Sequence, residues 1–217
     1  MANEGNGSAP GARSLLERLA RMQASLDRER AAAPALCAEL LSLSPDEQRE
    51  RVGSDPRFHT WGACEVLLDR SLAAAEGDAA ESGRLAQLVL AASARLEEAL
   101  HCAPVVQDLE ARAWACVGEA RLRDGDLPSA EEALRQAAAR LAHGTGDLRV
   151  EARLLEYEAG VRRHQGRASE AAALLKQAEA RYREANEHHL AARTLHKRDQ
   201  VLRQPDALRN IVFEPTA

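Results

Sequence analysis

Three features of the sequence predict an all-α chain of antiparallel helical hairpins stacked side by side. Strong helix formers (Ala, Leu, Glu, Arg and Gln) dominate, whereas strand formers are scarce and aromatic residues make up only 3%. Apolar residues recur at three- and four-residue spacings through successive stretches, the period of an amphipathic helix. Glycines and prolines cluster between those stretches rather than inside them, where they punctuate the chain as turns. At 217 residues the chain is long enough to bury a substantial core, here one elongated domain built from Ala and Leu at close helix spacing.

Taken in order, residues 1–12 are rich in Gly, Asn and Ser and are expected to form a disordered tail, because nothing in them offsets the entropy of ordering. N-terminal helices are expected over 13–57. Ser14 with Glu17 reads as a capping box, and Leu15, Leu19, Met22 and Leu26 form one apolar stripe on a helix reaching Arg30. That stripe also has coiled-coil spacing, although two heptads are fewer than such a seam normally needs. A second short helix is expected from about Pro34 to Leu43. A third follows from Pro45 to Val52, started by Ser44, Pro45 and Glu47 and stopped by Gly53 and Pro56.

Residues 58–204 read as helical hairpins. One helix spans Phe58 to Ala75, turns at Gly77 and is followed by another from Ala79 to about Leu100; His101-Cys102-Ala103-Pro104 breaks the pattern. The clearest hairpin is Ala111–Arg123 and Pro128–Ala142, hinged at Asp124-Gly125-Asp126. Within it Trp114, Val117, Gly118, Gly125, Ala130, Leu134 and Ala137 follow the pattern of a tetratricopeptide repeat: W-x2-L-G, a turn glycine and A-x3-F. The chain therefore resembles the tetratricopeptide repeat (TPR) family.

A second copy lies 41 residues on, with Leu155, Gly166, Ala171, Leu175 and Ala178 at matching positions, while Glu158 and Ala159 replace the Leu-Gly pair. An insert at His143–Asp147 accounts for a spacing longer than the usual ~34 residues. A further helix is expected from His188 to Arg203, and 205–217 as a C-terminal tail. The resemblance implies a TPR-like α-solenoid in which Gly118, Ala130, Ala137, Ala159, Ala171 and Ala178 let helix axes approach closely.

Charge and composition narrow the function. The formal net charge is −5, with 29 Lys and Arg dispersed among 34 Asp and Glu, so a large basic face for nucleic acid is not indicated. No stretch approaches a membrane-spanning run or a signal-peptide core. Cys37, Cys64, Cys102 and Cys116 lie far apart in sequence and read as reduced, buried small hydrophobes, which fits a cytoplasmic location. His189 and His196 stand ~10 Å apart along a helix, too far to share a metal ion, and His101-Cys102 do not face each other as a catalytic pair would. No metal, cofactor or catalytic constellation emerges. Glu131 and Arg135 read as a surface i,i+4 pair.

In TPR proteins the first helix of each repeat lines a concave surface that binds peptide. That geometry, carried onto this register, selects Arg112, Glu119, Arg123, Arg153, Glu156, Arg163, His164 and Lys197. Five of the eight are Arg or Lys, so the implied groove suits an acidic peptide or a terminal carboxylate. The expected function is a non-enzymatic, protein- or peptide-binding adaptor. The alternatives are a transcription-linked or signal-peptide-sensing regulator, and a self-associating structural subunit that forms a homodimer through exposed solenoid ends.

Overall fold

The structure is a computed structural model that describes residues 10–75, 77–96 and 101–203, with side chains from residue 14 onward. Among them it is all-helical, with no strand: α1 (Pro10–Leu41), α2 (Pro45–Ser54), a 3-10 turn (Pro56–Phe58), α3 (Trp61–Ala74), α4 (Ala79–Ser93), α5 (Ala103–Arg123), α6 (Leu127–Leu141), α7 (Leu148–His164), α8 (Ala168–Glu184) and α9 (His188–Arg203). Each helix from α3 onward packs on the next, and α5 also reaches past its neighbours to touch α3 and α7. Among the described residues no helix is long and apolar enough to cross a membrane.

The N-terminal region differs from the sequence reading. A single helix runs through Pro34, where two were expected, and it begins at Pro10, inside the expected tail. Proline's fixed φ suits a helix, and Pro34 sits on an exposed side, so the chain forgoes one hydrogen bond. What holds the helix together there is tertiary: Cys37 and Leu40 are fully buried in the first core, and Ala33, one turn before Cys37, is buried as well. Ser14 accordingly lies inside the helix rather than at its cap. The remainder of the 1–12 segment, the expected 205–217 tail and the expected end of a helix near Leu100 lie outside the described residues.

Other boundaries shift by a few residues. Glu47 accepts hydrogen bonds from Ser44 N (2.8 Å) and Ser44 Oγ (2.5 Å), the capping box anticipated at α2. Gly53 is helical, with Asp55 closing α2 instead. Phe58 belongs to the 3-10 turn, and Thr60 caps α3 by accepting from Ala63 N at 3.3 Å. α5 starts eight residues before Ala111, with Pro104 in its first turn, where a missing N–H leaves no bond unmade.

Three of the turns share one design. After α5, Gly125 takes φ +80° while Asp126 N donates to Arg121 O (2.9 Å) and Gly125 N to Leu122 O (3.1 Å). Gly166 repeats the arrangement after α7, and Asn186, at φ 60°, repeats it after α8 with Glu187 N bonded to Tyr182 O at 2.8 Å. This left-handed cap satisfies orphan carbonyls and reverses the chain. The longer connection at 143–147 is anchored differently: the buried Asp108 carboxylate accepts from Thr145 Oγ1 (2.5 Å) and Thr145 N (3.1 Å).

Close helix contacts rest on small residues. A Cβ on Gly118 would stand 2.8 Å from Leu134 Cδ2 and 3.4 Å from Ala130 O, so α5 and α6 meet where the repeat pattern placed that crossing. Ala130, Leu134 and Ala137 are buried there with Leu122, Leu154 and Val161. Trp114 is only partly buried and bridges this core to the larger one formed by α1–α5. Of the four cysteines, Cys102 is exposed rather than buried, because it precedes α5 in a connection; the other three are buried. Glu131 pairs with Arg162 across α6 and α7 (3.0 Å), and Arg135 with Glu132 (2.5 Å), in place of the expected Glu131–Arg135 pair.

Candidate functional site

The centre of the site is α7. Its residues Arg153, Glu156, Tyr157, Gly160, Arg163 and His164 recur at three- and four-residue spacing and share one face of the helix. α5 contributes Arg112, Glu119 and Arg123 on the same periodic logic, and α9 contributes Lys197. The helices are brought together by packing of α5 against α7 and of α8 against both α7 and α9.

The eight sequence-predicted residues fall into two concavities. A cleft of about 540 Å³ takes six of them: Glu119, Arg123, Glu156, Arg163, His164 and Lys197. The other two, Arg112 and Arg153, line a smaller hollow of about 300 Å³ nearer the start of α7. Arg153 and Tyr157, one helical turn apart, line different hollows, so the single groove implied by the repeat register is divided along α7.

The larger cleft is less basic than its residue list suggests. Glu156 is buried, and its carboxylate accepts from Thr194 Oγ1 (2.6 Å), Lys197 Nζ (3.2 Å) and Tyr182 Oη (3.4 Å). It ties α9 and α8 to α7 while lining the floor of the cleft. Lys197 remains half in solvent above it. Arg123 Nε lies 3.1 Å from Glu119, an i,i+4 pair on α5. His164 Nδ1 lies 3.0 Å from Gly160 O. Arg163 is exposed and forms no ion pair among the described residues, leaving its guanidinium the cation best placed for a ligand.

The smaller hollow combines charge with apolar walls. Leu72, Val150 and Leu190 line it beside Arg112, Arg149 and Arg153. Arg149 is held by Glu187 at 3.3 Å and Asp147 at 3.6 Å. Arg112 and Arg153 form no ion pair among the described residues, and Arg112 Nε is buried without a hydrogen-bond partner. Burial works against the Arg153 charge, but the nearby Tyr157 and Tyr182 hydroxyls outweigh it and its pKa lies above the usual value. Burial, reinforced by the Glu156 charge, pushes the Tyr182 phenol up to about 12, so that group stays a neutral hydrogen-bonding hydroxyl at physiological pH.

Sequence reasoning missed Tyr157 and Tyr182 as lining residues. Tyr157 was within reach, since it follows Arg153 by four residues on α7. Tyr182 belongs to α8, a second helix of its hairpin, where a lining role follows only from three-dimensional packing. A third hollow of about 380 Å³ between α6 and α7 includes Glu158, whose pKa is raised by burial against the opposing pull of Arg162; none of the eight predicted residues lines it. No three His, Cys, Asp or Glu side chains converge as a metal site among the described residues.

Compared with family models, curated proteins and solved structures, the chain finds no match in any of the three.

Proposed function

We propose that this chain is a non-enzymatic cytoplasmic binding protein, in which a TPR-like stack of helical hairpins holds a segment of another protein in the cleft along α5, α7 and α9. The convergence of Glu119, Arg123, Glu156, Arg163, His164 and Lys197 around one concavity carries the reading, because residues spread over almost eighty positions meet at one ligand-sized space. The apolar Leu122, Leu175 and Val201 in the same cleft offer packing for a side chain, while Arg163 and Lys197 favour a segment bearing carboxylates.

The test is binding of degenerate peptide pools with a fixed acidic or a fixed basic central position, read by fluorescence anisotropy. The acidic pool binds in preference, and Arg163→Glu with Lys197→Ala weakens it at least tenfold, as loss of charge-assisted contacts requires. Equal binding of both pools, or no effect of the two substitutions, overturns the assignment.

A specific feature also favours self-association. Leu15, Leu16 and Leu19 are 55%, 67% and 51% exposed on the N-terminal half of α1, where none of the described helices covers them. Sedimentation over a range of concentrations checks this: a dimer that Leu15→Glu and Leu19→Glu dissociate supports the reading, and a monomer throughout defeats it.

A further inference from the structure

Five half-buried arginines of this protein share a feature that Arg112 and Arg153 lack. Arg84, Arg140, Arg162, Arg181 and Arg198 each lie within 3.2 Å of a carboxylate: Glu81, Glu110, Glu131, Glu151 and Glu179 respectively. A guanidinium partly withdrawn from water loses hydration, and a paired carboxylate replaces it. Arg112 and Arg153 are withdrawn to a similar degree, share one hollow of about 300 Å³, and have no such partner among the described residues.

The carboxylates that line the hollow are already engaged. Asp147 and Glu187 both bond Arg149. Glu65, which feels the Arg112 charge, is bridged by Arg30 at 2.9 Å. Glu156, one turn from Arg153, is satisfied by Thr194 and Lys197. The hollow therefore carries two guanidiniums without a carboxylate partner and, with Arg112, Arg149 and Arg153 set against Asp147 and Glu187, a net positive lining, beside the apolar side chains of Leu72, Val150 and Leu190.

We propose that Arg112 and Arg153 form a binding site for a phosphate monoester on a side chain of the bound segment. A monoester carries close to two negative charges at neutral pH and three acceptor oxygens, so one group neutralises both guanidiniums, whereas one carboxylate neutralises one. Arginine keeps its charge at any physiological pH and offers bidentate geometry to phosphate oxygens. The apolar wall accounts for an organic substituent: free phosphate makes no use of Leu72, Val150 and Leu190, and the aromatic ring of a phosphotyrosine does. The site deepens the peptide-binding reading and rests on it, but it lies in a different hollow from Arg163 and Lys197.

The experiment uses the full chain and degenerate peptide pools with a fixed central phosphotyrosine, phosphoserine or unmodified tyrosine, with phenyl phosphate and inorganic phosphate as small probes. The phosphotyrosine pool is expected to bind at least tenfold more tightly than the tyrosine pool, and phenyl phosphate more tightly than inorganic phosphate. Arg112→Gln and Arg153→Gln each remove about tenfold of the phosphorylated pool's affinity. Arg135→Gln, on the outer surface of α6, leaves it unchanged, and circular dichroism confirms that the variants remain folded. Equal affinity for phosphorylated and unmodified pools overturns the site. Inorganic phosphate binding as tightly as the peptide also overturns it, in favour of a free-anion site. Acidic pools that still bind through Arg163 and Lys197 in either case leave the larger cleft's assignment standing, so the two proposals fail separately.

Discussion

The Thr194 hydroxyl of α9 donates a 2.6 Å hydrogen bond to the buried carboxylate of Glu156 on α7, joining positions 38 residues apart. Lys197, one turn further along α9, approaches the same oxygen at 3.2 Å. One acidic side chain thus organises the junction of α7, α8 and α9 that forms a wall of the larger cleft.

Removing the hydroxyl leaves a buried charged acceptor short of a partner. Thr194→Val is expected to lower unfolding free energy by about 1–3 kcal/mol, measured by urea denaturation. Lys197 is 45% exposed, and Lys197→Ala is expected to cost no more than ~1 kcal/mol. A larger loss at Lys197 than at Thr194 contradicts the account of Glu156 as a hydroxyl-anchored packing residue.

Glycines at helix crossings separate by what a methyl group would meet. At Gly62 a Cβ would fall 2.6 Å from the Glu29 carbonyl oxygen on α1, and backbone there yields little. At Gly118 the obstacle is the tip of the Leu134 side chain. Gly62→Ala is therefore the more destabilising of the two alanine variants, and Gly118→Leu costs about 1–3 kcal/mol by overpacking. Gly53→Ala, with open space around it inside α2, is expected to stabilise by about 0.5–1 kcal/mol. Thermal unfolding of the four variants ranks them directly.

Glu158 is a carboxylate whose pKa burial raises, despite the opposing pull of Arg162. A raised carboxylate contributes its stability below its unfolded pKa and loses it as pH rises through the folded value. Glu158→Gln is consequently more stable than the native chain at pH 7, and the difference shrinks as pH falls toward 4.5, the ordinary glutamate value. Asp126 and Glu131 behave oppositely: hydrogen bonds from Ser129 and from Gln165, respectively, lower their pKa values, so their stabilisation is present above the ordinary range and lost as pH falls through the depressed one. Stability profiles from pH 3 to 8, on the order of one point per half unit, test both signs.

The cysteines divide by exposure. Burial pushes the Cys37 thiol up to about 11 and Cys64 to about 12, and raises Cys116 as well, whereas Cys102 lies exposed before α5. Native protein at pH 7.5 is expected to alkylate with iodoacetamide at one position rapidly, and at the other three only after denaturation. Peptide mapping that finds Cys37, Cys64 or Cys116 modified in the folded state refutes this.

Local chemistry was legible wherever one residue decides a backbone state. Gly125 and Gly166 marked their turns, Ser44 with Glu47 marked the start of α2, and Gly118 with Ala130 and Leu134 marked a helix crossing, because each depends on a conformation or contact that few residue types permit. Asn186 does the same work as Gly125 and was overlooked, since asparagine also enters left-handed turns but signals them less distinctly. The register that the TPR resemblance implies selected faces of α5, α7 and α9, and two residues of α5, three of α7 and one of α9 line one cleft.

The all-helical class and the order of the helices followed from sequence alone, since helix periodicity and turn residues act over a few positions. Tertiary structure decided what depends on distant neighbours. Burial of Ala33, Cys37 and Leu40 against α3 carries α1 through Pro34. Packing of α8 and α9 makes Glu156 a buried anchor in the wall of the cleft. Ion pairing elsewhere leaves Arg112 and Arg153 unmatched in one hollow. Burial and charge compensation are properties of the assembled helices, and periodicity along one helix does not contain them.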